Sequence, residues 1–497
     1  MSLKRNTSTE KQNVPVLPES HSDIDSLSSS SHWLSRKLRT WGVESRGVAP
    51  VPVDERVGHP YSKIFFVWYS MNFNILSFSA GTLGPIAFGL GLRDTCLTIL
   101  FFNLLCCAFP AYLGTWGPKL GMRQMVISRY SFGYYGVIAA CIMNLIGMIG
   151  FSILNSILGG QTLASVSNQH LSWTVGIVVI AVIALLVSFC GLDVLNWYER
   201  LAWIPVLITF LIAIGLGGKH MSSPPPAEPA TAEAILGFAS TLAGFAITYS
   251  SLSSDFTAYF HTDVSSWKLF FAGYLGFVIP IVCIQCFGAA AVVAVASNPD
   301  WELGYEGGNV GGLLAAMLQP AGGFGKFLTL LLSLSVAANI SATFYSISIN
   351  LQIFIPILSR VPRYFLSIVA TAIVVPLSIA GAHRFYDTLV NFLGLIGYWA
   401  SAYVAILIIE HVYFRKNDPT NYDRRAWNVP RRLPTGLAAL TAGVACFGIV
   451  IPCMSQVWFT GPIAKKTGDI GFEVAFAASA VLYFPLRWLE IKWRGNM

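Results

Sequence analysis

Charge is what this sequence has least of. Only 11% of its 497 residues are Asp, Glu, Lys or Arg, against roughly a quarter in a soluble protein. A water-soluble chain of this length divides into domains with solvated faces, and too little polar surface is present for that. Inside the long apolar runs, away from their ends, no Asp, Glu, Lys or Arg is found, and the eight histidines fall in the N-terminal tail, in loops or near helix ends. Acid–base chemistry or a metal pump within a membrane needs such groups at depth, so an enzyme, a metal centre and a resident cofactor are not expected. The nine cysteines lie mostly within apolar runs, as at Cys106, Cys107, Cys141 and Cys283, and neither a zinc site nor a disulfide frame is legible in them. The net charge of +7 does not call for nucleic acid, because most basic residues sit in short loops beside apolar runs, the pattern that orients a membrane protein.

What the chain has in abundance is apolar length. Hydrophobic residues make up 55%, and the lipid bilayer is the solvent they imply. Residues 1–60 are rich in Ser, Pro and charge and are expected to form a disordered cytosolic tail, with 61–492 the membrane domain and 493–497 a cytosolic end. No signal-peptide core precedes residue 64, so the first span is expected to act as the targeting signal. Apolar runs long enough to cross the hydrocarbon core predict twelve transmembrane helices, near 64–92, 95–116, 134–166, 172–191, 201–218, 234–258, 269–297, 325–354, 364–382, 387–410, 435–456 and 472–490. With that threading, 25 of the 31 Lys and Arg residues fall on one side and six on the other, which places both termini in the cytosol. The sizeable external loops are then 219–233, 298–324 and 457–471.

Neutral polar groups do occur at depth, and they cluster. The first span carries Asn72, Asn74, Ser77 and Ser79 ahead of Gly81, Gly84 and Pro85; the sixth carries Thr248, Ser250, Ser251, Ser253 and Ser254. These spans open two possible halves of five helices. Interrupted helices at matching positions of two inverted repeats mark a central binding site. Single hydroxyls of this kind more often bond the preceding turn or join helices, but clusters in both matching spans point to function. In the third span Phe151 and Asn155 share a face, and an aromatic plane beside an amide suits a flat heterocycle, with Tyr249 as an opposite wall. Asn339 lies near the centre of the eighth span, one turn after Ser335. A buried amide is costly unless paired; a helix–helix hydrogen bond satisfies Asn155 and Asn339 as well as a ligand does.

Several segments together resemble the fungal purine–cytosine permeases of the nucleobase–cation symporter-1 family. They include Leu83-Gly-Pro-Ile-Ala-Phe-Gly-Leu90, Gly121-Met-Arg-Gln-Met-Val126 and Gly150-Phe-Ser-Ile-Leu-Asn155 with Gly159-Gly160. Others are Gly322-Gly-Phe-Gly-Lys326, Leu395-Ile-Gly-Tyr-Trp399, Glu410-His411 and Ala426-Trp427-Asn428. The resemblance implies an all-α polytopic fold of the leucine-transporter type: five plus five inverted helices, then two more. It implies alternating access and import by proton symport at the plasma membrane, with a purine, cytosine or related ring held between the first, third, sixth and eighth helices. Asn155 then falls where the family keeps a base-bonding amide, Tyr249 about where fungal relatives carry a sixth-helix aromatic, and Asn339 on the first asparagine of the eighth-helix motif. Ser77 and Ser79 are further expected lining residues. Two departures stand out. Phe151 replaces a usual Trp, and Asn339-Ile340-Ser341-Ala342-Thr343 replaces a motif resembling Asn-Asn-Ile-Pro-Asn, so another heterocycle such as a B6 vitamer stays open. Sodium-coupled relatives use first-helix carbonyls and eighth-helix hydroxyls, here in the region of Ser333 and Ser335. A proton, the favoured ion, needs a titratable group, and Glu199 and Asp255 are the nearest. A non-transporting nutrient receptor on the same scaffold is the rival from another class.

Overall fold

The computed structural model describes residues 48–167, 170–189, 191–355, 357–358, 361 and 363–495, without the side chains of 191–200, 338 and 363. Each of the twelve expected spans falls on helix. The first is a broken rod, α1 (Tyr61–Asn72) and α2 (Ile75–Phe88). The second is α3 (Leu92–Cys106), continued by α4 (Ala108–Gly114) and α5 (Trp116–Leu120). Then follow α6 (Gln124–Val166), α7 (Trp173–Phe189), α8 (Gly191–Met221) and α9 (Ala232–Ile247), the last running into two short 3-10 turns. The second half holds α10 (Ser266–Val293), α11 (Val310–Leu318), α12 (Gly322–Phe354), α13 (Arg363–Gly381), α14 (Phe385–Ile409), α15 (Leu437–Cys453) and α16 (Gly471–Arg494). Eight stretches among the described residues are long and apolar enough to cross a bilayer, one of them, Tyr364–Phe414, holding two of the expected spans; α2, α7 and α15 are shorter apolar helices.

Local chemistry explains the interruptions. Asn74 caps α2: its side-chain oxygen accepts from the backbone N–H of Leu76 at 2.9 Å and Ser77 at 3.1 Å, while its Nδ2 donates to the Met71 carbonyl at 2.7 Å. One side chain thus serves both helix ends at the break. In α6 the kink is Gly133, at φ 70°, where a Cβ would lie 2.3 Å from the Pro434 carbonyl oxygen. The 43-residue helix is about 65 Å long at 1.5 Å per residue, twice a bilayer core; the kink divides off an inner arm and leaves the expected span from 134.

The long helices α6 and α12 pack along much of their length, and α10 lies against both pieces of the broken first span. That second contact is backbone to backbone: a Cβ on Gly81 would meet the Gln285 carbonyl oxygen at 1.9 Å and one on Gly288 the Phe78 carbonyl oxygen at 2.0 Å. Small residues permit such approach between helices in lipid.

Residues 457–471 connect α15 to α16, as expected of a loop, and part of that connection packs on the bundle. β1 (Ser455–Gln456) pairs antiparallel with β2 (Phe459–Thr460), and this hairpin folds back against the middle of α14, where Gly394 leaves room for Gln456. One expectation is corrected. The folded part begins before residue 60: Arg56 is 6% exposed and donates to the carbonyls of Val51 (3.0 Å) and Pro118 (2.8 Å), and Val57 bridges to Phe260. Residues 1–47 of the expected tail lie outside the described residues.

Buried charge concentrates at the far ends of α14 and α16. Glu410 bonds Arg487 at 2.9 and 3.1 Å and Arg415 at 3.1 Å, and Arg487 reaches Glu490 at 3.0 Å. Tyr483 donates to Glu410 at 2.8 Å. Arg487 and Glu410 are each 1% exposed, and this network ties α14 to α16.

Candidate substrate site

The cavity of interest opens where the two broken helices meet α6 and α12. Its volume is about 30 Å³, room for a water molecule and well below the roughly 300–1,000 Å³ of small-molecule sites, so a solute enters only as the lining moves apart. From the first span it takes Met71, at the break; from the sixth Thr248, Tyr249, Ser251 and Leu252, in the unwound turns; from α14 it takes Trp399. From α6 come Asn144, Gly147, Met148 and Phe151, and from α12 Asn339, Ala342, Thr343 and Ser346. Both sets follow helical spacing along one face.

Phe151 and Tyr249 stand as near-parallel plates, ring centroids 6.4 Å apart and planes 24° from each other. A ring between them needs about 7 Å, two contact layers of about 3.5 Å, so the plates must part to admit one. Phe245 and Phe392 pack edge-on to Phe151 at 6.2 and 5.3 Å and fix its tilt.

The two asparagines meet. Asn155 Nδ2 donates to Asn339 Oδ1 at 3.1 Å and to its own helix at the Phe151 carbonyl, 2.9 Å. Asn339 Nδ2 donates to the Met71 carbonyl at 3.0 Å. The third, eighth and broken first spans are therefore linked by one amide chain. Asn155 is fully buried behind the lining, and its Oδ1 has no partner. Trp399 Nε1, a donor, and the Ser346 hydroxyl are also unpaired at the cavity. A buried polar atom left without a bond costs about 1–3 kcal/mol, which a ligand or water bonding it recovers.

Two hydrogen-bonded clusters outside the lining join neighbouring elements. In one, Tyr305 and Tyr386 bond through their hydroxyls at 2.5 Å, and Tyr386 reaches Thr82 of α2 at 3.2 Å. In the other, Arg123 donates to the Asp255 carbonyl and the Tyr345 hydroxyl, both at 2.9 Å, and Lys119 donates to the carbonyls of Thr262 (2.8 Å) and Val264 (2.9 Å).

The remaining expected residues are placed as follows. Ser77 donates to the Asn72 carbonyl at 2.5 Å and serves the break; the Ser79 hydroxyl is buried and unpaired, off the lining. Ser333 and Ser335 donate to the carbonyls of Leu330 and Leu332, both at 2.7 Å. Asp255, 5% exposed, accepts the Gln124 backbone N–H at 2.8 Å, a carboxylate at the start of α6 where the helix dipole favours it. Glu199 falls in α8, outside the described side chains. A Cys-x-x-Cys spacing does exist, at Cys283 and Cys286 one turn apart in α10, but no group of three or more His, Cys, Asp or Glu able to hold a metal occurs among the described residues.

Two lining groups escape sequence reasoning. Asn144 lies eleven residues before Asn155, three turns down the same face, and bonds Ser251 at 2.5 Å and Asn350 at 3.0 Å; the spacing was a usable signal. Trp399 was visible only as part of a motif, because nothing in an apolar tenth span tells which face meets the cavity.

Over residues 50–475 the chain matches the family described as permease for cytosine/purines, uracil, thiamine and allantoin. It is 35% identical over 474 residues to the purine-cytosine permease fcyB of Emericella nidulans, covering 93% of this chain and 92% of that one. To the purine-cytosine permease FCY2 of Saccharomyces cerevisiae it is 31% identical over 478 residues, covering 93% and 89%. To the vitamin B6 transporter TPN1 of the same yeast it is 29% identical over 549 residues, covering 99% and 94%. Among solved structures, Mhp1, a nucleobase-cation-symport-1 family transporter in a closed conformation with bromovinylhydantoin bound, superposes with a TM-score of 0.70 at 15% identity, covering 90% of this chain and 95% of that one. That likeness supports the fold, a nearly all-helical transporter of this type, and in this chain the first and sixth spans are interrupted. With 93% of its length aligned to a fungal purine-cytosine permease at 35% identity, the chain belongs to the family of cytosine and purine permeases and is a multi-pass membrane transporter, not an enzyme.

Proposed function

We propose that this permease imports a flat heterocycle of the purine or cytosine kind across the plasma membrane by proton symport, both termini being cytosolic. The observation that carries the reading is the pair of aromatic plates, Phe151 and Tyr249, set beside the Asn155–Asn339 amide chain where the two interrupted helices meet α6 and α12. Plates of this kind stack a ring irrespective of its identity, at about 1–3 kcal/mol per base. At the lining, the unpaired Trp399 N–H and Ser346 hydroxyl supply a donor and a group that both donates and accepts. Rocking of one helix group against the other exposes the site first to one side and then to the other. Proton rather than sodium coupling is supported by the occupied state of the Met71 carbonyl, one of those freed at the first-helix break. It already accepts two amide N–H groups, from Asn74 and Asn339, which uses both of its lone pairs.

One observation favours a hydroxylated ring such as a B6 vitamer as the second reading. Below Asn339 the lining of α12 offers hydroxyls, Thr343 and Ser346, and no further amide. The deciding experiment is a competition panel of purines, pyrimidines and B6 vitamers against one radiolabelled substrate, in cells lacking their own permeases. Adenine or cytosine is expected to compete best. Competition confined to vitamers would move the substrate to the second reading, and ligand-dependent signalling without net flux would replace transport by sensing.

A further inference from the structure

Past the hairpin, the segment that leads into α16 places a carboxylate against the bundle. Asp469 is 2% exposed. Its oxygens accept from the backbone N–H of Gly471 at 2.8 Å and Ser455 at 2.9 Å, from the Ser240 hydroxyl at 3.3 Å, from Gln456 Nε2 at 3.4 Å and from the Tyr398 hydroxyl. Tyr398 is the fourteenth of the 25 residues of α14, and Ser240 the ninth of the 16 of α9. The carboxylate therefore sits halfway along two membrane helices, one residue behind the Trp399 that lines the substrate cavity.

The groups facing it leave it without a counter-charge. One turn further on in α16, Glu473 has a buried Oε2 with no partner. From α15 the thiol of Cys453 faces Asp469, from α14 the phenol of Tyr398, and from α9 the Glu233 backbone packs on Gly468. Lys465 and Lys466 are exposed, and no Lys, Arg or His is ion-paired with either carboxylate among the described residues. Gln456 is 6% exposed, and its Oε1 is an unpaired acceptor in the amide group that already touches both Asp469 and Tyr398. An anion held by five donors and a spare acceptor beside it are what a site needs to hold a carboxyl in either protonation state.

We propose that Asp469 is the proton-carrying residue of the transport cycle, with Tyr398 and Gln456 as its positioning residues. The inference rests on the proton-symport reading above. Ionised, Asp469 holds α9, α14, the hairpin and α16 together through its five donors. A proton from the external water adds to one carboxylate oxygen. That oxygen becomes a donor, for which Gln456 Oε1 is the acceptor once the amide turns over, and it gives up its bond from the Tyr398 hydroxyl, so the tie between the middle of α14 and Asp469 is released. Loss of the same proton to the cytosol restores the five-donor clasp.

The test compares wild type, Asp469→Asn and Tyr398→Phe in permease-deficient cells, using labelled cytosine or, where the competition panel ranks another ring higher, that ring. Wild-type accumulation that survives a protonophore removes the proton-symport reading itself, independently of Asp469. Given a sensitive wild type, Asp469→Asn is expected to lose accumulation by about tenfold, the ratio that a one-unit pH gradient sustains, while its substrate counterflow stays near wild type. Accumulation that remains protonophore-sensitive in Asp469→Asn overturns the proposal. Should that variant fail to reach the surface or lose counterflow too, Tyr398→Phe decides. It removes a donor that favours the charged form, so the pH of half-maximal uptake should move to more alkaline values; an unmoved profile overturns the assignment.

Discussion

At the scale of single residues, the site depends on how few polar atoms are left to bond a solute. Asn339 spends both ends on protein partners, its Oδ1 on Asn155 and its Nδ2 on Met71. Asn339→Ala therefore removes two buried bonds at once and leaves the Asn155 amide short of an acceptor. At about 1–3 kcal/mol for each stranded group, uptake should fall roughly tenfold or more while the protein still reaches the surface, as measured by uptake and surface labelling in parallel. Phe151→Ala takes away one plate; the apparent KM should rise about fivefold to a hundredfold, whereas Phe151→Trp, which keeps a ring, should stay close to wild type. The pairing of Asn155 with Asn339 is one of two outcomes legible in the sequence: the amides satisfy each other across α6 and α12, and the Asn155 oxygen is left without a partner. Asp469 was not legible, because its neighbours at 455–470 are polar, short of apolar length and indistinguishable by composition from an ordinary loop.

At the scale of elements, apolar length did most of the work. Lipid offers no hydrogen bonds to the backbone, so each span had to be helix and each fell on helix. The kink at Gly133 was foreshadowed by a span beginning at 134, since the inner arm before it carries Arg123 and Arg129. What pattern alone did not reveal was contact between elements. Gly244 faces the Leu393 carbonyl oxygen, 1.9 Å from where a Cβ would lie, and this is where α9 meets α14. Gly244→Ala forces those helices apart. Overpacking of this kind costs about 1–3 kcal/mol, and a lowered melting temperature with slowed uptake is the expected result. The charged clasp at the ends of α14 and α16 makes a stronger prediction. Arg487→Ala leaves Glu410 and Glu490 buried beside each other with only Arg415 as counter-charge. Breaking a buried pair from one side costs about 3–5 kcal/mol, so this variant should be retained inside the cell and show little surface signal.

At the scale of the whole molecule, two interrupted helices, two long helices and α14 line one cavity. The first and sixth spans present unwound backbone and hydroxyls to it, α6 and α12 present amides and a ring, and α14 stands between the cavity and the Asp469 clasp. The substrate pocket and the carboxylate thus share one wall, at Tyr398 and Trp399, which is the arrangement that lets one movement of α14 serve both. The central claim is that a transported heterocycle occupies the space between Phe151, Tyr249 and Asn339. Ser346 lines that space with an unpaired hydroxyl, and a cysteine placed there by Ser346→Cys reports on it directly. The most direct measurement is the rate of alkylation of Ser346→Cys above the wild-type background, with and without saturating transported heterocycle. The account predicts saturable protection, with a half-effect near the transport KM; an alkylation rate indifferent to every transported solute would contradict it.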